Sequence, residues 1–165
     1  MEYYHRYEDG ELESADSIKL VDSLKYRTPG GKIVYGGGGI MPDIFIPLEN
    51  GKQLTFYNES VNKGILYQFA FDYTDQHRSE FNKYRNFKAF DAGFSVSQAL
   101  FNEYVAYAAK NGIHPGQGEI APSMSHIMAL LEAYIARNLY DNEGFYPIYL
   151  RTDKGFERAL KEVAR

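Results

Sequence analysis

Ser60-Val61-Asn62-Lys63 sets a hydroxyl and an amine three residues apart, the spacing at which a lysine on a helix can activate a serine nucleophile. Two fixed positions in four recur often by chance. The companion motifs of that enzyme class, Ser-Asp-Asn and Lys-Thr-Gly, are absent. The expectation is therefore a helix-end serine and a solvated lysine, not a dyad. Ser17-Ile18-Lys19 and Ser23-Leu24-Lys25 put both side chains on one face of a strand, a common arrangement that nothing else reinforces.

Metal chemistry finds little to work with. The histidines are His5, His77, His114 and His126, no two at the spacing of a helical metal pair, and the chain has no cysteine. Disulfides, thiolate sites and a cysteine nucleophile are thereby removed together. Asp72 and Asp75 share a helix face, while His77 points elsewhere, so a solvated acidic face is expected. His126 falls at a helix start, where a polar cap contact is expected. Gly36 to Gly39 invite a phosphate-loop reading, but no Gly-Lys-Ser/Thr and no helix follow. No metal, cofactor or nucleotide is expected, and no residue is assigned a catalytic role.

The bulk composition agrees. The net charge is −4 with a pI near 5.6, and no run of Lys or Arg exceeds two, which argues against nucleic acid as a partner. No stretch approaches the roughly 18 apolar residues of a membrane span. The 15 Tyr and 11 Phe without a Trp could line a surface for glycans or peptides; the expectation is that they fill seams between helices.

These side chains would be positioned by two different kinds of segment. Ser23 to Arg27 and Lys32 to Tyr35 read as a hairpin around Thr28-Pro29-Gly30-Gly31, a type II turn with Gly30 at the position that needs positive φ. Asp43 to Ile46, bracketed by Pro42 and Pro47, reads as a further short strand. After Asn50-Gly51 the apolar period lengthens to 3.6. Helices are predicted at about 53–61 and 63–84. Another starts at Ser95, with a Ser95/Gln98 capping box and a buried stripe of Val96, Leu100, Tyr104, Tyr107 and Ala108, and stops at Asn111-Gly112. Residues 113–122 read as a loop. A helix then runs from Ser123 to Tyr140 and ends at Asp141-Asn142-Glu143-Gly144. Residues 145–150 fit helix or strand. A last helix spans Asp153 to Ala164, with Phe156, Ala159, Leu160 and Val163 inward. The predicted class is α+β, mainly α: a β-rich segment over 1–50, then a four- to five-helix unit over 52–165.

Thr28-Pro29-Gly30-Gly31 and Gly39-Ile40-Met41-Pro42-Asp43, with the strand between them, resemble the closing segment of the tail-specific (C-terminal processing) serine peptidases. The four glycines, the approach through Arg6 to Glu11 and the helical remainder look like a bacterial branch with a helical C-terminal extension. The resemblance implies a secreted endopeptidase with a serine–lysine dyad and a periplasmic or cell-envelope location. In that family the dyad lies upstream of the matched segment, so the chain is expected to be inactive alone. Thr28, Pro29, Gly31, Gly39, Ile40, Pro42 and Asp43 would be structural. The implied partners are an upstream peptidase core, the parent's protein or peptide substrate and, through exposed strands, a second copy. The helical part is expected to dock, gate or assemble; the alternative is a stand-alone helical interaction module unrelated to proteolysis.

Overall fold

The computed structural model describes residues 4–5, 9–14, 17–18, 22–36, 44–47 and 54–164. The chain divides into two compact units, 1–50 and 51–165. The fold is α+β and mainly α.

In the first unit, β1 (Lys25–Arg27) pairs antiparallel with β2 (Ile33–Tyr35), Tyr26 opposite Val34. The Gly31 amide donates to Thr28 O at 2.9 Å, and the Lys32 amide to Thr28 Oγ1 at 3.1 Å. The left-handed residue is Gly31, at φ 85, and not Gly30 as a type II turn requires. Thr28 still pairs with Lys32, its amide donating to Lys32 O at 2.9 Å. The loop thus has three residues, and loops of that length close on a left-handed position. Tyr26, Ile33 and Val34 are all exposed.

The strand expected at Asp43 to Ile46 does not form over 44–46, which are a bend and irregular backbone. No strand pairs with them among the described residues, and an unpaired segment leaves its ladder groups to water. Asp43 itself, with Gly39, Ile40 and Pro42, lies outside the described residues.

Among the described residues the second unit has seven helices, where four or five were expected. They are α1 (Thr55–Asn62), α2 (Ile65–Gln76), α3 (Arg78–Phe81), α4 (Phe87–Gly93), α5 (Gln98–Lys110), α6 (Ile120–Tyr149) and α7 (Lys154–Val163). The single helix expected over 63–84 is broken at His77, whose φ −107, ψ 16 is not helical. The His77 ring stacks on Tyr73 at 4.1 Å, and its Nδ1 meets Tyr73 O at 2.9 Å, so the ring shares the carbonyl that ends α2. α4 was not expected at all. Asn86 caps it, accepting from the Ala89 amide at 3.0 Å.

α5 is capped by Ser97, which accepts from the Leu100 amide at 3.2 Å, and not by Ser95. The Gln98 amide group, freed from a capping box, reaches Asn102. The buried stripe is Val96, Leu100, Phe101, Tyr104 and Ala108, with Tyr107 only half-buried. The helix ends as the sequence suggests. Gly112 at φ 79 donates to Ala109 O, and Ile113 to Ala108 O, a paired reversal that buries Ile113 completely.

α6 starts at Ile120, ahead of the expected Ser123, because Pro122 sits in its first turn, where an amide has no partner to lose. Tyr140 and Asp141 leave helical angles, and 145–150 continue as helix and a closing 3-10 turn. Gly144 comes so close to Ala136 that an added Cβ would sit 2.5 Å from Ala136 O. α6 is thus two arms folded on each other. α2 packs chiefly on α6, around a core that includes Phe56, Leu66, Phe69, Phe101, Tyr104 and Ile127.

α7 corrects another expectation. Phe156, Leu160 and Val163 are exposed, and the helix buries none of its residues. It is held locally instead: Asp153 accepts from the Phe156 amide at 2.9 Å, and Glu157–Lys161 and Arg158–Glu162 pair across one turn.

Candidate functional site

The local fold separates Ser60 from Lys63. Both lie at the C-terminal end of α1. Ser60 is fully buried on the inner face, while Lys63, just past the last turn, reaches outward to Glu59 at 2.7 Å and to Gly112 O at 3.3 Å. Ser60 Oγ neighbours the buried Tyr104 hydroxyl instead. Neither group makes a well-formed hydrogen bond. Burial pushes the Tyr104 phenol up to about 12, with the Ser60 hydroxyl acting weakly in the other direction. A neutral phenol of that kind offers Ser60 no base near neutral pH.

The acidic residues of α2 are also engaged separately. Asp72 accepts from Gln68 at 2.9 Å and from the Tyr107 hydroxyl at 3.2 Å; Asp75 faces Arg78 at 3.8 Å. His77 is turned onto Tyr73. His126 stands beside Ser125 Oγ at 3.4 Å, with the Tyr57 ring 5.7 Å away. Among the described residues, no group of three or more His, Asp or Glu gathers closely enough to hold a metal ion. No helix among them is long and apolar enough to cross a membrane.

What the fold does gather is tyrosine. α1 supplies Tyr57, α2 Tyr67, and the two arms of α6 Tyr134, Phe145, Tyr146 and Tyr149. Tyr67 meets Tyr134 edge-on at 5.2 Å, Tyr134 stacks on Phe145 at 5.6 Å, and Phe145 stacks on Tyr149 at 5.2 Å. The Arg137 guanidinium lies over Phe145, 5.5 Å from its centre. Elsewhere tyrosine hydroxyls are used internally: Tyr84 donates to Gly93 O and Tyr140 to Tyr84 O. Those of Tyr57, Tyr67, Tyr134 and Tyr149 bond to no described residue. Burial raises the pKa of Tyr57 and Tyr134, and nearby tyrosines add to the rise, while Arg137 opposes it at Tyr134. The surface is therefore an array of phenol donors and acceptors on a rigid aromatic floor, chemistry suited to binding. The sequence showed these residues only as a count; nothing in their spacing brings the three helices together.

One ionisable group of α6 makes a pH-dependent contribution to stability. Half-buried Glu132 accepts from the Val96 amide at 3.1 Å. Burial raises its pKa above the ordinary carboxylate value, although the Val96 bond and Arg151 pull it down. The folded state then keeps its proton to higher pH than the unfolded state does. Glu132 accordingly contributes most below the ordinary carboxylate pKa, and that contribution is lost as pH rises through the folded pKa. Glu132→Gln, which keeps an acceptor for Val96, is expected to remove this decline. Urea midpoints measured between about pH 4 and 7 for both proteins will show it.

The class that the fold defines is a mainly helical α+β chain whose helical unit carries a tyrosine-rich surface. Residues 56–141, 86 of the 165, match a family of unknown function, DUF8443, and the chain belongs to it. The match ends at Asp141, the bend of α6. No curated protein and no solved structure matches the chain.

Proposed function

We propose that this chain is the non-catalytic closing part of a secreted tail-specific serine endopeptidase, with its helical unit serving as a docking or assembly module for the peptidase core. The observation that carries the proposal is the β1–β2 hairpin. Its Thr-Pro-Gly-Gly loop has Gly31 held left-handed, and its strands are three residues long with Tyr26, Ile33 and Val34 exposed. An isolated two-stranded ribbon is marginal in water, so these strands suit a place beside further strands of a parent sheet. The location that goes with this reading is the periplasm or cell envelope. The stand-alone interaction module is favoured by one separate observation, the tyrosine surface on α1, α2 and α6 with its unused hydroxyls.

Peptidase assay of the chain against an unfolded protein substrate is expected to give no cleavage above background, unchanged in Ser60→Ala. Cleavage lost in that variant would overturn the proposal. The coding sequence upstream of Met1 separates the two readings. A serine motif rich in Gly and Ser, followed by a lysine, supports the peptidase; a coding frame lacking both leaves the interaction module.

A further inference from the structure

The bend in α6 falls on neither a glycine nor a proline; Gly144 and Pro147 lie beyond it, in the second arm. Tyr140 stands at φ −137, ψ 18 and Asp141 at φ 53, ψ −143. Asp141 is the only non-glycine residue with positive φ among the described residues. Its angles border a region that glycine alone occupies without strain. Neither glycine nor proline occupies 140–142, and both flanks are helical. Helical angles at two residues would turn Ile120–Tyr149 into one helix of 30 residues.

Straightening would lift the second arm off its seat, and that seat is symmetric. Gly144 rests on Ala136, and Phe145 stacks on Tyr134 at 5.6 Å. Both pairs are spaced almost evenly about position 140. Two straight α6 helices crossing antiparallel at that position would remake each pair between copies, twice over. The Arg151–Asp91 ion pair, 2.6 Å within one chain, would be remade in the same exchange. A closed two-fold interface has this form, in which the same patch serves both subunits.

We propose that the Tyr140–Asp141 bend is a swap hinge, and that the partner it admits is a second copy of this chain. The exchange keeps the contacts of the folded-back arm and releases Asp141 from its left-handed angles in both copies. A short hinge under strain is the condition that favours such exchange. At low concentration the cost of association keeps the arm at home; at high concentration the relieved hinge favours the dimer.

Light scattering on the full chain, across a concentration series after warming and slow cooling, tests this. A concentration-dependent dimer is expected. Asp141→Gly makes the bend cost-free and should weaken the dimer by about tenfold or more in Kd. Asp141→Ala favours the straight helix and should tighten it. Ile33→Lys, on the exposed hairpin edge, should leave it unchanged. A monomer at every concentration, a dimer indifferent to both Asp141 variants, or one abolished by Ile33→Lys would overturn the proposal.

Discussion

Phe90→Ala is expected to destabilise the helical unit by about 3–5 kcal/mol, the range for removing a fully buried aromatic ring. Phe90 has no exposed surface, and its ring meets Phe94 at 4.8 Å, Tyr84 at 5.6 Å, Tyr140 at 5.7 Å and Phe81 at 6.1 Å. These neighbours come from α3, the α3–α4 connection, the end of α4 and the bend of α6. One side chain therefore joins four pieces of backbone, alongside the Tyr84–Gly93 and Tyr140–Tyr84 hydrogen bonds. A domain's whole stability is about 5–15 kcal/mol, so the loss is a large share. It should lower the thermal midpoint by on the order of 10–20 °C. Phe90→Leu, which keeps most of the volume, should cost about 1.5 kcal/mol or less. Thermal melts followed by circular dichroism will measure both. A loss under about 1 kcal/mol for Phe90→Ala would mean that α4 is not seated on the core.

Gly144→Ala is expected to destabilise by about 1–3 kcal/mol, although alanine is the better helix former by about 1 kcal/mol. The added methyl would stand 2.5 Å from Ala136 O and 2.8 Å from Ala136 C. Those are backbone atoms of a packed helix and cannot rotate away. The whole second arm must rise, loosening the seat of Ile148 and the Tyr134–Phe145 stack. Gly64→Ala is the contrast: nothing stands within 4 Å of its added carbon, and its penalty comes only from φ 69. A neutral or stabilising Gly144→Ala would show that the two arms lie further apart.

How far the sequence revealed this molecule depended on the range of the forces at each point. The hairpin and the α5 stop were legible because Thr28-Pro29-Gly30-Gly31 and Asn111-Gly112 act through their own backbone. The exact left-handed position, Gly31 over Gly30, followed from strand register, which no turn motif states. α4 escaped because Phe87 to Gly93 makes fewer than two turns, too few for a period. The break at His77 arises from its ring on Tyr73, inside what reads as one apolar stripe. Phe156, Leu160 and Val163 have the spacing of an inward face, but spacing cannot supply a surface to face. In the same way Ser60 and Lys63 have the spacing of a dyad, and burial of one with exposure of the other decides against it. Asp141 to Gly144 read as a helix stop; that the chain folds straight back depends on the Ala136 carbonyl, a contact no local pattern encodes.

The linked rings also govern how this protein answers to light. The chain has no tryptophan to collect excitation, so its near-ultraviolet signals belong to tyrosine and phenylalanine. Tyr104, Tyr134 and Tyr140 sit in fixed, chiral company, whereas Tyr4 and Tyr26 stand largely in water. Near-ultraviolet dichroism will thus report the packing of the helical unit with little contribution from the hairpin. Excitation will pass between neighbouring tyrosines before it is emitted, so the polarisation of the emission will be low while the rings remain packed.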